Sequence, residues 1–489
     1  MKNLKWKKAG SAVLATALAG SMVLPATAYA QGEIVQLEGG TSTQTNTAPE
    51  QVFLNKYSGT VRTQNFNDNW KFYLGDASGA QTPAFDDSSW DQVNLPHDYS
   101  IDQKYNRSMD GESGYLPGGT GWYRKSFTVD KSLEGKRISI DFGGVYMNAT
   151  IYVNGKKLGT HPYGYTPFSF DITDNVKFGK ENVIAVKVDH QTPSSRFYSG
   201  SGIYRDVDFV VTDTVHVDKN GTKIETPDLK EHVDGNNVAV KVKTTVVNES
   251  ERDASVKVKH TIYPKNGTAE QAVATFESQE AVAVEKGKSK DVSADFTASG
   301  VQLWSTTTPN LYTVKTEVLM DGATVDTYET DYGFRYFAFD KNNGFTLNGQ
   351  KMKLQGVCMH HDQGALGSVA NDRSTERQVE ILKMMGCNSI RVTHNPASDE
   401  LIDACNKHGI LVIDEAFDGW VAPKNGNSND YAKWFNKEIE SDNEIMGAAD
   451  NMTWAQFDLT AMIERGQNDP AIIMWSLGNE MWEGTGGYS

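Results

Sequence analysis

Between about residues 51 and 330, apolar and polar side chains alternate over short spans, as in Ile138-x-Ile140-x-Phe142, Ile184-x-Val186-x-Val188 and Val238-x-Val240-x-Val242. A period of two predicts half-buried strands. Asn154-Gly155 and Asp321-Gly322 separate such spans and accept the positive φ angles of tight hairpin turns. Two all-β sandwiches are the economical reading, residues 51–212 and 213–334, with the boundary placed where the polar stretch Thr212 to Asn220 interrupts the pattern.

Past residue 335 strand-like runs alternate with helical ones. Lys353 to His360 reads as a strand, and a helix follows from about Thr375 to Met385, with Val379 and Leu382 on one face and Gly386 as its stop. Ser389 to Thr393 is a second strand, Asp399 to His408 a helix ended by Gly409, and Ile410 to Asp414 a third strand. A long polar insertion leads to a helix near Thr453 to Arg465, the helix-hostile Asp469-Pro470, and a fourth strand, Ile472 to Leu477. Four βα-type repeats predict a parallel sheet, either doubly wound or a (β/α)8 barrel. No Gly-rich phosphate fingerprint follows any strand, which argues against the nucleotide-binding version.

Composition narrows the function classes. The 489 residues carry 63 Asp plus Glu against 47 Lys plus Arg, a net charge of −16. Nucleic-acid binding rests on clustered cations that neutralise phosphates, so no nucleic acid is expected as a partner. Lys2, Lys5, Lys7 and Lys8 precede an apolar run from Ala9 to Leu24 that ends at Ala28-Tyr29-Ala30. This is the pattern of a secretory signal peptide, residues 1–30, cleaved after Ala30. Residues 31–50 are rich in Thr, Gly and Gln and read as a linker. No later apolar run approaches the roughly 18 residues of a membrane helix, so the mature product is expected to be secreted, without membrane insertion. Cys358, Cys387 and Cys405 read as small buried hydrophobes, with a single bridge left open.

In parallel α/β folds ligands bind at the carboxyl ends of the strands. Those ends here carry His360-His361-Asp362, Arg391-Val392-Thr393-His394-Asn395, Asp414-Glu415 and Asn479-Glu480. Any one of them is an ordinary solvated residue on its own. All four together read as a chemical rim.

The segments Gly356 to Asp362, Ile390 to Pro396 and Ile473 to Glu480 resemble glycoside hydrolase family 2, and most of all its bacterial β-galactosidases. Leu95-Pro96-His97-Asp98, Gly121-Trp122-Tyr123-Arg124 and Tyr198 to Arg205 are similar to that family's N-terminal sandwich. The resemblance implies a jelly-roll sugar-binding-like sandwich, then an immunoglobulin-like sandwich, then a TIM barrel over residues 335–489. It implies a retaining exo-glycosidase acting on terminal β-galactosides of oligosaccharides or glycoconjugates, with β-glucuronides and β-mannosides as rival substrates. A non-catalytic carbohydrate-binding fragment is the reading from another class.

The same resemblance assigns residues. Glu480 matches the general acid/base, Asn479 the residue that bonds the sugar 2-hydroxyl, Arg391 the arginine that orients the nucleophile, and His360 and His394 sugar-contacting histidines. Adjacent strand residues face opposite ways, so His360 rather than His361 is expected to point inward. Three histidines at strand ends are also a donor set for zinc, but their spacing matches no compact zinc motif. Trp420 and Trp482 follow the third and fourth strands, where an aromatic face stacks on a sugar or packs in a core, and Trp420 is taken as substrate-binding. Ser195 to Tyr198 precede the Gly-rich turn and are placed near the rim, where one branch of the family carries a galactose-recognising Asp at the position of Arg196. No cofactor is expected. Some relatives bind a cation through Glu and His shortly after the third-strand Asp-Glu, but those positions fall near Gly419 and Val421, so that motif is not matched.

The sequence ends nine residues after Glu480. The family's nucleophile lies on the seventh barrel strand, so it is expected beyond residue 489, and Glu415, Asp418 and Glu483 match no known nucleophile. A half barrel is expected to be inactive by itself and to be clipped by proteases past about residue 335.

Overall fold

In the computed structural model, residues 51–53 and 61–480 are described. The expected signal peptide, the linker, Trp482 and Glu483 lie outside the described residues.

Period-two patterning becomes two face-to-face sheets in the first sandwich. One sheet runs in the order Asp91–Val93, Trp70–Leu74, Gly119–Val129, Glu181–His190, Ala149–Val153, Lys156–His161, and Gln51–Phe53 pairs in parallel with Gly119–Val129. The other holds Thr63–Asn65, Val207–Thr212, Arg137–Phe142 and Phe168–Asp171. The alternation read from Ile138, Ile140 and Phe142 is the buried face of one of these strands. Val215–Glu225 opens the next sandwich, pairing with Val238–Asn248, which pairs with Lys288–Ala298. Against them stand Ala274–Glu277, Ala254–Pro264, Tyr312–Met320 and Ala323–Tyr332. The polar stretch read as an interruption is thus the first strand of this sandwich, with an irregularity between Val217 and Thr222.

Four parallel strands follow, here labelled β1 (Gly356–Met359), β2 (Ser389–Val392), β3 (Leu411–Glu415) and β4 (Ile472–Ser476), paired in that order. Helix α1 (Asp372–Met384) connects β1 to β2, α2 (Asp399–His408) connects β2 to β3, and α3 (Trp454–Gly466) precedes β4. Helix α2 has the bounds its pattern predicts, because Ser398 caps its N-terminus by accepting from Leu401 N, and Gly409 ends it at φ 68°. Strand β1 is shorter than its pattern predicts. The Asn388 amide instead holds Lys353 and Gln355, donating to the carbonyl of one and accepting from the N–H of the other, both at 2.8 Å.

The insertion between β3 and α3 is not a polar loop. Phe417, Tyr431, Phe435 and Ile445, with Trp454 and Phe457 of α3, belong to the same buried cluster as the first sandwich's Tyr163, Phe168 and Phe170. A buried carboxylate pins this seam, since Asp458 accepts from His161 (2.8 Å), Thr166 and Tyr431. Trp304 of the second sandwich is fully buried in the core of the parallel sheet, and its indole N–H donates to the Asn406 carbonyl at 2.9 Å. The strand sheet is therefore welded to both sandwiches on one side. On the other, Met474, Trp475 and Leu477 are more than a third exposed. The cysteines are all free, and only Cys405 is buried, while Cys358 is exposed on β1. Among the described residues no helix is long and apolar enough to cross a membrane.

Candidate active site

The carboxyl ends of β1 to β4 form one rim, and its centre is Glu415 at the end of β3. Its side chain is fully buried. Arg391 reaches it from β2 through Nε and Nη2 (3.1 and 2.7 Å), His394 through Nδ1 (2.6 Å), and Ser476 Oγ from β4 (2.7 Å). Burial alone would raise its pKa, but hydrogen bonds from His394, Ser476 and Arg391 outweigh it and hold the carboxyl below the ordinary value. Because an ionised carboxylate only accepts, His394 donates through Nδ1, which fixes its tautomer.

Asp418, just past β3, is the second centre. Arg196, from the loop of the first sandwich, grips it with Nε at 3.0 Å and Nη2 at 2.7 Å, and the Asn479 amide donates to it at 3.2 Å. Asn479 also accepts from Arg391 Nη2 at 3.3 Å, so it bridges the two centres. Glu480 stands at the outer edge, with its side chain 66% exposed. Arg196 Nη1 lies 3.1 Å from it, and Lys424 Nζ lies 3.6 Å from its carboxylate while donating to the carbonyls of Asn479 and Glu480.

Of the residues singled out from sequence, Asn479, Arg391, His394 and Glu480 come together through these bonds. His360 joins them: Phe197 covers it at 4.0 Å between ring centres, and His394 lies 5.6 Å away. Burial, then the neighbouring His394, lowers its pKa, so its imidazole is neutral at pH 7 and one nitrogen accepts while the other donates. His361 turns the other way, onto Tyr165 at 4.9 Å. Trp420 meets the site at Gly478, its indole nitrogen filling the place a Cβ would take there. Its ring lies against Phe435 (5.2 Å) and Phe417 (6.0 Å), within the cluster shared with the first sandwich.

Sequence reasoning names Glu415 as a strand-end residue of the rim, weighs it and Asp418 as nucleophiles, gives neither a place in the site, and passes over Lys424. The signal for Glu415 is its place at a strand end; nothing local marks Lys424. Among the described residues the rim histidines do not come together with metal-ligand spacing. Among the described residues the one group with metal-ligand spacing is Glu376, Glu380 and His408 on α1 and α2, where Arg373 and Lys407 already pair with the carboxylates. Gly419 and Val421 offer no side-chain donor for the cation that the sequence comparison brought into view.

The sandwich shapes the rim through Asp98, which is buried. Its carboxylate accepts from the N–H groups of Ser100, Ser201 and Ser368, each at 2.9 Å, and from the Tyr198 hydroxyl at 2.6 Å. Gly200, at φ 67°, fits against it where a Cβ would collide with Ser368 Oγ and Asp98 Oδ2. One side chain thus ties the loop that carries Arg196 and Phe197 to the loop after β1.

Comparison with known proteins matches this architecture along most of its described length. Residues 63–213 match the sugar binding domain of glycosyl hydrolases family 2, residues 222–335 that family's middle region, and residues 340–488 its TIM barrel domain. A beta-galactosidase of Bacteroides ovatus is 42% identical over 421 residues, covering 86% of this chain and 46% of the relative. A protein of Formosa agariphila described as a putative beta-glucuronidase is 36% identical over 421 residues, covering 85% of this chain and 37% of its own length. A crystal structure of a family 2 member from Bacteroides cellulosilyticus superposes with a TM-score of 0.78 at 38% identity, over 86% of this chain and 52% of that one. The chain spans about half the length or less of these relatives.

Proposed function

Because the chain belongs to glycosyl hydrolases family 2, a family of glycoside hydrolases, we propose that it carries the acid/base side of a retaining β-galactosidase site, with Glu480 as the acid/base. The observation that supports this reading most is the state of the other rim carboxylates. Glu415 is held by three side chains and Asp418 by two, all donors. A carboxylate so engaged is a poor proton donor and a poor nucleophile. Glu480 pairs with Arg196 and Lys424 as well, but its side chain is 66% exposed and so stays within reach of a substrate.

In the proposed reaction Glu480 protonates the glycosidic oxygen as its bond to the anomeric carbon breaks. A second carboxylate, about 5 to 5.5 Å away in retaining enzymes, attacks from the other face, and Glu480 then takes a proton from the incoming water. That nucleophile is assigned beyond residue 489. Arg391 and His394 hold Glu415 ionised, and Glu415 with Arg391 orients the Asn479 amide that is assigned to the sugar 2-hydroxyl. His360 and His394 present their imidazole edges to the other hydroxyls. Trp420, assigned from sequence as a substrate contact, supports the rim from behind.

Galactose is favoured over glucuronic acid on charge. Arg391, Arg196 and Lys424 each face a carboxylate of this chain already, which leaves no unpaired cation among them for a uronate. The substrates are proposed to be β-galactosides of oligosaccharides or glycoconjugates met outside the cell, in keeping with the signal-peptide pattern. The test is a panel of nitrophenyl β-D-galactoside, glucuronide and mannoside with protein from the complete reading frame. Preference for the galactoside supports the proposal, and preference for the glucuronide overturns the choice of sugar.

A further inference from the structure

We propose that residues 101–118 of the first sandwich form the leaving-group side of the binding site, and that the ligand they fit is an oligosaccharide whose rings stack on Tyr105 and Tyr115. This rests on the reading of Glu480 as the acid/base.

Tyr105 is 77% exposed and Tyr115 51%, whereas Tyr99, Tyr123, Tyr146, Tyr163, Tyr165 and Tyr204 of the same domain are buried. Exposure alone decides nothing, since folded surfaces carry many apolar atoms. Position decides it. Glu112 of this loop accepts from the Asn425 amide, and the neighbouring Lys424 is bonded to the backbone of Asn479 and Glu480. At the loop's other flank Gly114 lies beneath the Tyr198 ring, 3.6 Å from where a Cβ would stand, and Tyr198 directly follows Arg196 and Phe197. At the start of the loop Ile101 packs against Gly367 of the segment after β1, with Cγ2 2.8 Å from where a Cβ on that glycine would stand. The loop therefore borders the rim from the β1 end to Glu480.

The loop is also held in shape. Asn106 N–H donates to the Tyr115 carbonyl (2.9 Å), Tyr115 N–H to the Asp110 carbonyl (3.1 Å), and the Gln103 amide to the carbonyls of Pro117 and Gly118 (3.1 Å each). Tyr115 sits at φ 61°, with its hydroxyl 3.2 Å from the Cβ position of Gly111. That backbone conformation is costly for an aromatic residue and persists where surrounding structure imposes it. A surface ordered in advance loses little entropy on binding. An acid/base hands its proton to the leaving oxygen, so atoms just outside Glu480 belong to the leaving group. Pyranose rings present flat C–H faces for the phenol rings and hydroxyl edges for the exposed Asn106 and Arg107. Lys104 and Arg107 stand against Asp102, Asp110 and Glu112, a balance that suits an uncharged glycan.

The test uses protein from the complete reading frame and the ratio of kcat/KM for a β-galactosyl tri- or tetrasaccharide to that for nitrophenyl β-galactoside. Tyr105→Ala and Tyr115→Ala should each lower this ratio, by roughly three- to tenfold if one stacked ring is lost, and Tyr105→Trp should restore it. Unchanged ratios in both alanine variants would overturn the proposal, as would a loss of kcat/KM confined to the nitrophenyl glycoside. No hydrolysis of any β-glycoside by the unaltered enzyme would instead count against the Glu480 reading.

Discussion

Arg196 and Asp418, 222 residues apart, form a two-pronged ion pair, with Nε and Nη2 of one at 3.0 and 2.7 Å from the two oxygens of the other. Both side chains are mostly buried. Removing one member of such a pair leaves a desolvated charge, which typically costs about 3 to 5 kcal/mol. Arg196→Ala should therefore destabilise the protein by about 3 kcal/mol, at the low end because the Asn479 amide still reaches Asp418. Adding Asp418→Asn should recover part of the loss. In a double-mutant cycle by urea unfolding, coupling under about 0.5 kcal/mol would rank the pair with ordinary exposed salt bridges.

The acid/base assignment makes a kinetic prediction. Glu480→Gln should slow glycosides with poor leaving groups by about 10² to 10⁴, and activated aryl glycosides far less, because a good leaving group needs little protonation. Azide should partly rescue the activated substrates. Equal loss on both classes without rescue would remove Glu480 from this role.

Much of this is legible in sequence because it is local. The cap at Ser398, the stop at Gly409 and the alternation around Ile140 depend on neighbours a few residues away. The strand ends name the rim because a parallel sheet places its carboxyl ends together. Pairing at a distance is not legible in the same way. Nothing near Arg196 announces Asp418, and nothing near Asp98 announces Ser368. The stretch after Thr212 reads as a gap because one face of its strand is polar and a register shift breaks the alternation. The insertion after β3 reads as polar because its buried residues, Phe417, Tyr431, Phe435 and Ile445, are spaced irregularly and pack on another domain.

Stability should respond to pH through Asp208 and Glu400, at the seam between the first sandwich and α2. Each is raised to about 7, Asp208 by burial and then by Asp141 and Asp206, Glu400 by burial and then by Asp399. A carboxyl that keeps its proton in the folded state, but loses it near pH 4 when unfolded, makes stability fall as pH rises between those values. The buried His190, His216 and His260, each lowered to about 4 chiefly by burial, give the opposite slope below about pH 6.5. Comparing Asp208→Asn with the unaltered protein separates the two. The variant should gain relative stability from pH 5 to pH 7, by at most roughly 1.4 kcal/mol per pH unit, and hold it above. No relative change over that range would mean that Asp208 is already ionised in the folded protein.

The seam between the domains also decides where proteases cut. A detached half barrel would be trimmed from about residue 335, leaving two sandwiches. The structure argues otherwise. Residues 416–462 supply Phe417, Phe435, Trp454 and Phe457 to the first sandwich's core, Asp458 is fixed by His161 and Thr166, and Trp304 is buried under α2. Cleavage needs local opening, and a segment that shares a core opens only at nearly the cost of unfolding it. Strand β4 shares the core around Trp304 only through Ile472 and Ile473, and among the described residues beyond them Met474, Trp475 and Leu477 are exposed. Limited thermolysin digestion of the 489-residue chain should therefore leave a resistant fragment reaching to about residue 473 and remove the residues C-terminal to it. Trp304→Ala should shift the first cut toward residue 335. A stable product ending near residue 335 in the unaltered chain would show that the shared core contributes little to holding the strands in place.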